Sequence, residues 1–244
     1  ASDVSALLPV TQNFIFLEDG DVAKLTRESI EIYSSVTGEK VDRPIKQSSL
    51  NITAVELGEH RHYMHKEIFE QPQAVIDTLE GRVTQDQVLV STFGPGAESI
   101  FKSIERLHII ACGTSYHAGM VAKYWAEDIV RLPCQVEVAS EFRYRNPVIE
   151  NNTLFVTISQ SGETADTLAA LQQIKAYAAA SPDAFAVKNI QTLSICNVAE
   201  SSLTREADLC YLTHAGPEIG VASTKSFTTQ LVALALLLTC IGKV

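Results

Sequence analysis

From residue 105 onward the chain alternates short apolar runs with amphipathic stretches, and few folds accept that rhythm. The apolar runs are Leu107 to Ala111, Cys134 to Val138, Thr153 to Ile158, Thr192 to Cys196 and Asp208 to Leu212. Helical periodicity places Val121, Tyr124, Trp125 and Ile129 on one side of a helix from about Ser115 to Val130. A second, from about Glu163 to Ala179, carries Leu168, Leu171 and Ile174. Strands that are apolar throughout are buried on both faces, and helices between them are crossovers. The pattern predicts a doubly wound α/β domain with a parallel five-stranded sheet and helices on both faces. Ser181-Pro182-Asp183 through Asn189 reads as its one long surface loop.

The first fifty residues differ in kind. Phe14-Ile15-Phe16-Leu17, a turn at Glu18-Asp19-Gly20-Asp21 and Val22-Ala23-Lys24-Leu25 form a hairpin-like pattern, followed by the alternating run Ser29 to Tyr33. So few strands cannot bury their own apolar faces, so the segment reads as the end of a larger sheet domain. Acids outnumber bases ten to five over residues 1 to 60, half of the total charge of −10, and that shift places a boundary near residues 45 to 60. The expected division is a β-rich segment at 1–48, a linker and lead-in helix at 49–80, and the α/β domain at 81–244.

The acidic balance, without a basic stripe, argues against nucleic acid as a partner. Five widely spaced cysteines without a C-x-x-C pair fit a reducing cytoplasm better than a disulfide scaffold or a zinc site. The most apolar run, Leu231 to Leu238, falls well short of the roughly 20 residues of a bilayer crossing, so no membrane partner is expected. His60, His62 and His65 lack the convergent partners of a metal site, and no metal is expected. They read as a polar linker entering an amphipathic helix with Ala74, Val75 and Leu79 inside and its charges on a solvated face.

In open parallel sheets ligands bind beyond the carboxyl ends of the strands. Three loops there share one chemical character: Cys112-Gly113-Thr114-Ser115-Tyr116, Ser159-Gln160-Ser161-Gly162-Glu163-Thr164, and Gly220-Val221-Ala222-Ser223-Thr224-Lys225. Hydroxyls and glycines at helix N-termini make an anion cradle, because free amides and the positive end of the helix dipole point at the ligand. Ser and Thr also serve as ordinary N-caps. Two such loops after neighbouring strands, with Ser159 and Ser161 flanking Gln160, exceed what capping needs and favour a phosphate site. The P-loop, dinucleotide and nucleophile-elbow motifs are absent from the sequence, which leaves a small phosphorylated ligand.

These loops, with Glu218-Ile219 ahead of the third, Ser140 to Arg145, and His62 to Pro72, resemble the sugar-isomerase (SIS) domain of the glutamine:fructose-6-phosphate amidotransferases, or glucosamine-6-phosphate synthases. The resemblance implies an N-terminal glutaminase domain that releases ammonia and two SIS domains that turn fructose 6-phosphate into glucosamine 6-phosphate, an amino-sugar precursor. It implies phosphate contacts from Ser115, Ser159, Gln160, Ser161 and Thr164, with Thr114, Val221 and Ser223 at the sugar. It also implies a cytoplasmic homodimer without a cofactor, glutamine being used only by the full-length protein.

By the same resemblance, the lysine, glutamate and histidine of the isomerisation lie in the second SIS domain, so this chain holds no catalytic residue. The family's glutaminase uses an N-terminal cysteine, whereas this chain opens with Ala1 and its residues 1 to about 48 match only that domain's last strands. A fragment is therefore expected, binding sugar phosphate weakly or not at all alone. Lys225 reads as a first-turn helix residue, Glu163 as complementing a helix dipole, and Cys112 as a small buried residue. His117 and His214 stay open. Two other classes remain: a non-catalytic SIS-domain sugar-phosphate sensor, and an assembly domain whose hydroxyl loops are only caps.

Overall fold

The computed structural model describes residues 7, 10–47, 56–179 and 189–242. The chain forms two compact units, 1–56 and 57–244. In the first, β1 (Asn13–Ile15) pairs antiparallel with β4 (Ile45–Gln47), and β2 (Asp21–Leu25) with β3 (Ile30–Ser34). The hairpin expected between Phe14–Leu17 and Val22–Leu25 is therefore not the one that forms. A turn does close at Glu18 to Asp21, through the Asp21 amide to the Glu18 carbonyl at 2.9 Å, but it joins two different ribbons. The real hairpin turns at Thr26–Ser29, where the Thr26 hydroxyl accepts the Ser29 amide at 2.9 Å. Lys24 lies directly across from Glu31, with their charges 3.3 Å apart, so cross-strand charge supports this register.

The second unit holds the parallel sheet. Its strands are β5 (Arg106–Ala111), β6 (Cys134–Val138), β7 (Thr153–Ser159), β8 (Ile190–Cys196) and β9 (Leu209–Leu212), in the order β6-β5-β7-β8-β9. All neighbours are parallel, and each strand falls within two residues of its sequence expectation. β7 is buried along its whole length. Its interior Thr157 is tolerated because it lies opposite Ser194, and the two hydroxyls bond at 2.7 Å. The loop expected at 181–189 lies outside the described residues except for Asn189.

Alternation along the strands feeds two cores. Leu107, Ile109 and Ala111 join a cluster with Ala118, Ala122, Leu234 and Leu237, while Ile110 packs with Phe142, Phe155, Ala170 and Ile174. One helix layer contains α1 (Tyr63–Leu79), α3 (Gly113–Trp125) and α7 (Lys225–Ile241), with the short α2 (Ala97–Ser103) between α1 and β5 packing on α7. The other contains α4 (Ala139–Tyr144), α5 (Ala165–Ala179) and α6 (Ser202–Glu206). At Gly119 a Cβ would stand 2.9 Å from the Ile109 Cγ2, so a glycine lets α3 lie this close to the sheet. α3 continues into a π-helical turn at Ala126–Val130. Among the described residues no helix is long and apolar enough to cross a membrane.

This strand order fixes where a ligand can sit. The chain steps from β5 to β6 in one direction and then returns to β7 on the other side of β5. Right-handed crossovers send α3 to one face and α5 to the other, which opens a crevice between the carboxyl ends of β5 and β7.

Candidate functional site

The first two hydroxyl loops flank that crevice. Ala111 and Ile158 are paired neighbours, so residues 112–116 and 159–164 leave the sheet at the same level. In the first loop Cys112 is extended at the N-cap of α3 and Gly113 takes φ +57°. Among the described residues no side chain caps α3, so Thr114 and Ser115 are not its caps. Ser115 is buried and Thr114 exposed. The Thr167 hydroxyl, in the first turn of α5, reaches the Cys112 sulfur at 4.0 Å and ties the two loops together.

The second loop is a tight turn built from its own hydroxyls. Ser159 is buried, and its Oγ accepts the Gly162 amide at 3.0 Å and bonds the Thr164 hydroxyl at 3.0 Å. Ser161 Oγ accepts the Glu163 amide at 3.2 Å. Gly162 has φ +68°, and a Cβ there would meet Ser201 Oγ at 2.1 Å, so only glycine fits. The half-buried Gln160 is held by its carbonyl, which accepts the Asn197 amide at 3.2 Å. The loop therefore places Ser161 and Thr164 between the carboxyl end of β7 and the first turn of α5, where helix amides lack intrahelical partners.

The third loop is electrostatically different. The Glu218 carboxylate occupies the N-terminus of α7, accepting the Thr224 amide at 2.8 Å, the Ser226 amide at 3.1 Å and the Ser223 hydroxyl at 3.0 Å. Those donors are already matched to a negative charge, so this loop does not share the anion-cradle character of the other two. Val221 is fully exposed and Ser223 half-buried beside Glu218. The loop is fastened to the second one through Asn197, whose Nδ2 donates to the Gly216 carbonyl at 2.8 Å and whose Oδ1 accepts the Ala215 amide at 2.7 Å.

Three side chains that fasten these loops, Asn197, Glu218 and Glu67, escape a reading by residue type. Glu67 was expected on a solvated face of the lead-in helix, yet it is buried and accepts the amides of Ile219 and Gly220. Its signal was periodicity: Glu67, Ala74 and Thr78 fall at i, i+7 and i+11, and all three are buried.

The tempting residues find structural partners. Lys225 is buried and its Nζ lies 2.7 Å from Glu70 Oε2. Glu163 accepts the Ser202 amide at 2.7 Å, at the start of α6. His117 is exposed with its ring against Tyr116. His214 has φ +51° just before the third loop, and desolvation, then the nearby Arg82 charge, lowers its pKa. His60 and His65 face each other with 2.9 Å between their Nδ1 atoms, and the described residues contain no group of three metal-ligating side chains.

The SIS domain family matches residues 100–240. The glutamine–fructose-6-phosphate aminotransferase (isomerizing) of Acinetobacter baylyi is 56% identical over 246 residues, covering 100% of this chain and 39% of that protein. The protein of the same name from Pseudomonas aeruginosa is 56% identical over 244 residues, covering 100% of this chain and 38% of its own length. The chain thus spans about two fifths of these curated relatives. Among solved structures, the C-terminal domain of glucosamine-fructose-6-phosphate aminotransferase from Francisella tularensis matches with a TM-score of 0.70 and 48% identity, covering 77% of this chain and 50% of that one. Glucosamine-6-phosphate deaminase from Thermotoga maritima shares the fold, with a TM-score of 0.57 and 21% identity over 75% of this chain and 49% of that one. With more than half of its length matched, the chain belongs to the SIS domain family.

Proposed function

We propose that the chain is the sugar-phosphate-binding part of an isomerising glutamine–fructose-6-phosphate aminotransferase, which makes glucosamine 6-phosphate and glutamate from fructose 6-phosphate and glutamine. The observation that carries this is the pair of hydroxyl loops at the sheet's reversal point, in a chain 56% identical along its whole length to relatives of that name. Ser115, Ser159, Gln160, Ser161 and Thr164 hold the phosphate, and Thr114, Val221 and Ser223 lie against the sugar. The phosphate dianion meets first-turn amides and hydroxyls locally, which is why a chain of charge −10 can bind it without a cluster of arginines. Sugar-ring opening, imine formation with a lysine and proton transfer by a glutamate use residues outside this chain. In this reading glutamine is consumed by the longer protein, which acts as a cytoplasmic homodimer without a cofactor.

The test is calorimetric titration of fructose 6-phosphate into the full-length synthase carrying this chain. Replacing Ser161 and Thr164 together with alanine removes two hydrogen bonds to a charged group and should weaken binding about a hundredfold. Unchanged affinity removes the phosphate assignment. The chain alone is expected to form no glucosamine 6-phosphate from fructose 6-phosphate and ammonia, and product from it would overturn the division of labour.

A further inference from the structure

We propose that Glu67 is a positioning residue for the sugar-facing loop, which makes α1 a working wall of the sugar-phosphate site. The proposal rests on the assignment of Val221 and Ser223 to the sugar. Glu67 is 2% exposed, and a carboxylate is kept inside a protein only where its oxygens are satisfied. Its partners are two consecutive amides of the third loop, more than 150 residues away in sequence. Oε1 accepts Ile219 N at 2.6 Å and Gly220 N at 3.0 Å, and Oε2 lies 3.2 Å from Gly220 N. Two adjacent N–H groups aimed at one carboxylate set the orientation of the peptide between them.

Gly220 shows how closely the loop presses on α1. Its φ is not in the left-handed region, so glycine is not needed there for backbone freedom. A Cβ would stand 2.5 Å from Glu67 Oε2 and 3.3 Å from Met64 Cα, so the requirement is space.

Neighbouring positions of the same helix hold the other end of the loop. Glu70 Oε2 pairs with Lys225 Nζ at 2.7 Å, and Gln71 Oε1 accepts the Thr228 hydroxyl at 2.5 Å. The loop is thus pinned at 219–220 and again where it enters α7. Val221 to Ser223 are the span between the pins, and they include Val221 and Ser223, two of the three residues assigned to the sugar. The phosphate loops hang instead on β5 and β7, and the Asn197 link between the second loop and residues 215–216 does not run through Glu67. Removing the Glu67 carboxylate should therefore impair recognition of the sugar and leave the phosphate cradle intact.

The experiment uses the full-length synthase and two readouts, the KM for fructose 6-phosphate and the inhibition constant of inorganic phosphate. Glu67→Gln replaces one acceptor oxygen with an NH2 that faces an amide. The expected result is a KM raised about tenfold or more, with phosphate inhibition within about twofold of wild type. Gly220→Ala should shift the same readout, and the double variant should fall short of the sum because both break one contact. Unchanged KM in both single variants, or KM and phosphate inhibition worsening together as in a general loss of fold, overturns the proposal. Ser161→Ala is the control for the site itself. If it leaves phosphate inhibition untouched, the site assignment fails, while the Glu67 and Gly220 variants still report on whether the carboxylate sets the loop.

Discussion

The second and third loops look alike in sequence, each a run of small and hydroxyl residues that opens a helix, but they carry opposite electrostatics. At 159–164 the hydroxyls bond one another and the turn, and among the described residues no carboxylate accepts a first-turn amide of α5. At 216–226 the N-terminus of α7 is filled by Glu218, and the preceding amides of Ile219 and Gly220 by Glu67. A helix N-terminus is thus an anion site only where no resident acid already occupies it. The first arrangement leaves room for the phosphate of the proposed function, while the second, already matched by its own acids, fits the contacts proposed there for an uncharged sugar.

The comparison can be broken at several points. Gly162→Ala should have the largest effect, because the alanine would need φ +68° and would collide with Ser201. A destabilisation of about 3 kcal/mol or more is expected in urea unfolding, and a loss below about 1 kcal/mol would show that the turn can relax. Glu218→Gln weakens the acid at the start of α7 and should lower stability by about 1 kcal/mol without weakening binding of inorganic phosphate. A large loss of phosphate affinity would mean that the third loop belongs to the cradle after all.

Thiol labelling gives a smaller, sharper contrast. Burial pushes the Cys134 and Cys210 thiols up to about 12, so both should react slowly near neutral pH. Cys112 is half-buried at the first loop and should be labelled first, with fructose 6-phosphate slowing it in the full-length protein. Labelling of Cys112 that ignores the ligand would separate that loop from the site.

The smallest effect is a pH slope from His108 on β5, away from both loops. Burial holds its pKa below the ordinary 6.5, and the facing Glu137 carboxylate only partly offsets this. Its Nε2 lies 2.9 Å from Glu137 Oε1 without hydrogen-bond alignment, Arg145 pairs with the same carboxylate, and Phe142 and Phe155 pack on the ring. Above pH 6.5 the imidazole is neutral in both the folded and the unfolded chain and contributes no slope. As pH falls below 6.5 the unfolded chain binds the proton first, so stability drops until the folded pKa is passed. Denaturant midpoints of wild type and His108→Gln between pH 5 and 7.5 measure it, and identical slopes would remove His108 as the cause.

What the sequence made legible was local. Four strands of the sheet announce themselves by largely apolar runs, and the edge strand β6 by the alternation of Cys134, Val136 and Val138 with Gln135 and Glu137. The first two hydroxyl loops lie directly between a largely apolar run and a helix. Pairings set by distant partners were not legible. Phe14–Leu17 and Val22–Leu25 flank a genuine turn, yet β1 is claimed by Ile45–Gln47 and β2 by Ile30–Ser34. Glu67 reads as a surface charge until the amides of Ile219 and Gly220 are brought to it. The same limit applies to Glu218, whose carboxylate folds forward over the helix that follows.

The most direct test is a crystal structure of the full-length protein with fructose 6-phosphate bound. The phosphate oxygens should lie about 3 Å from the hydroxyls of Ser115, Ser161 and Thr164, with Glu218 still at the start of α7. A phosphate on the amides of Thr224 and Ser226, with Glu218 displaced, would contradict the account.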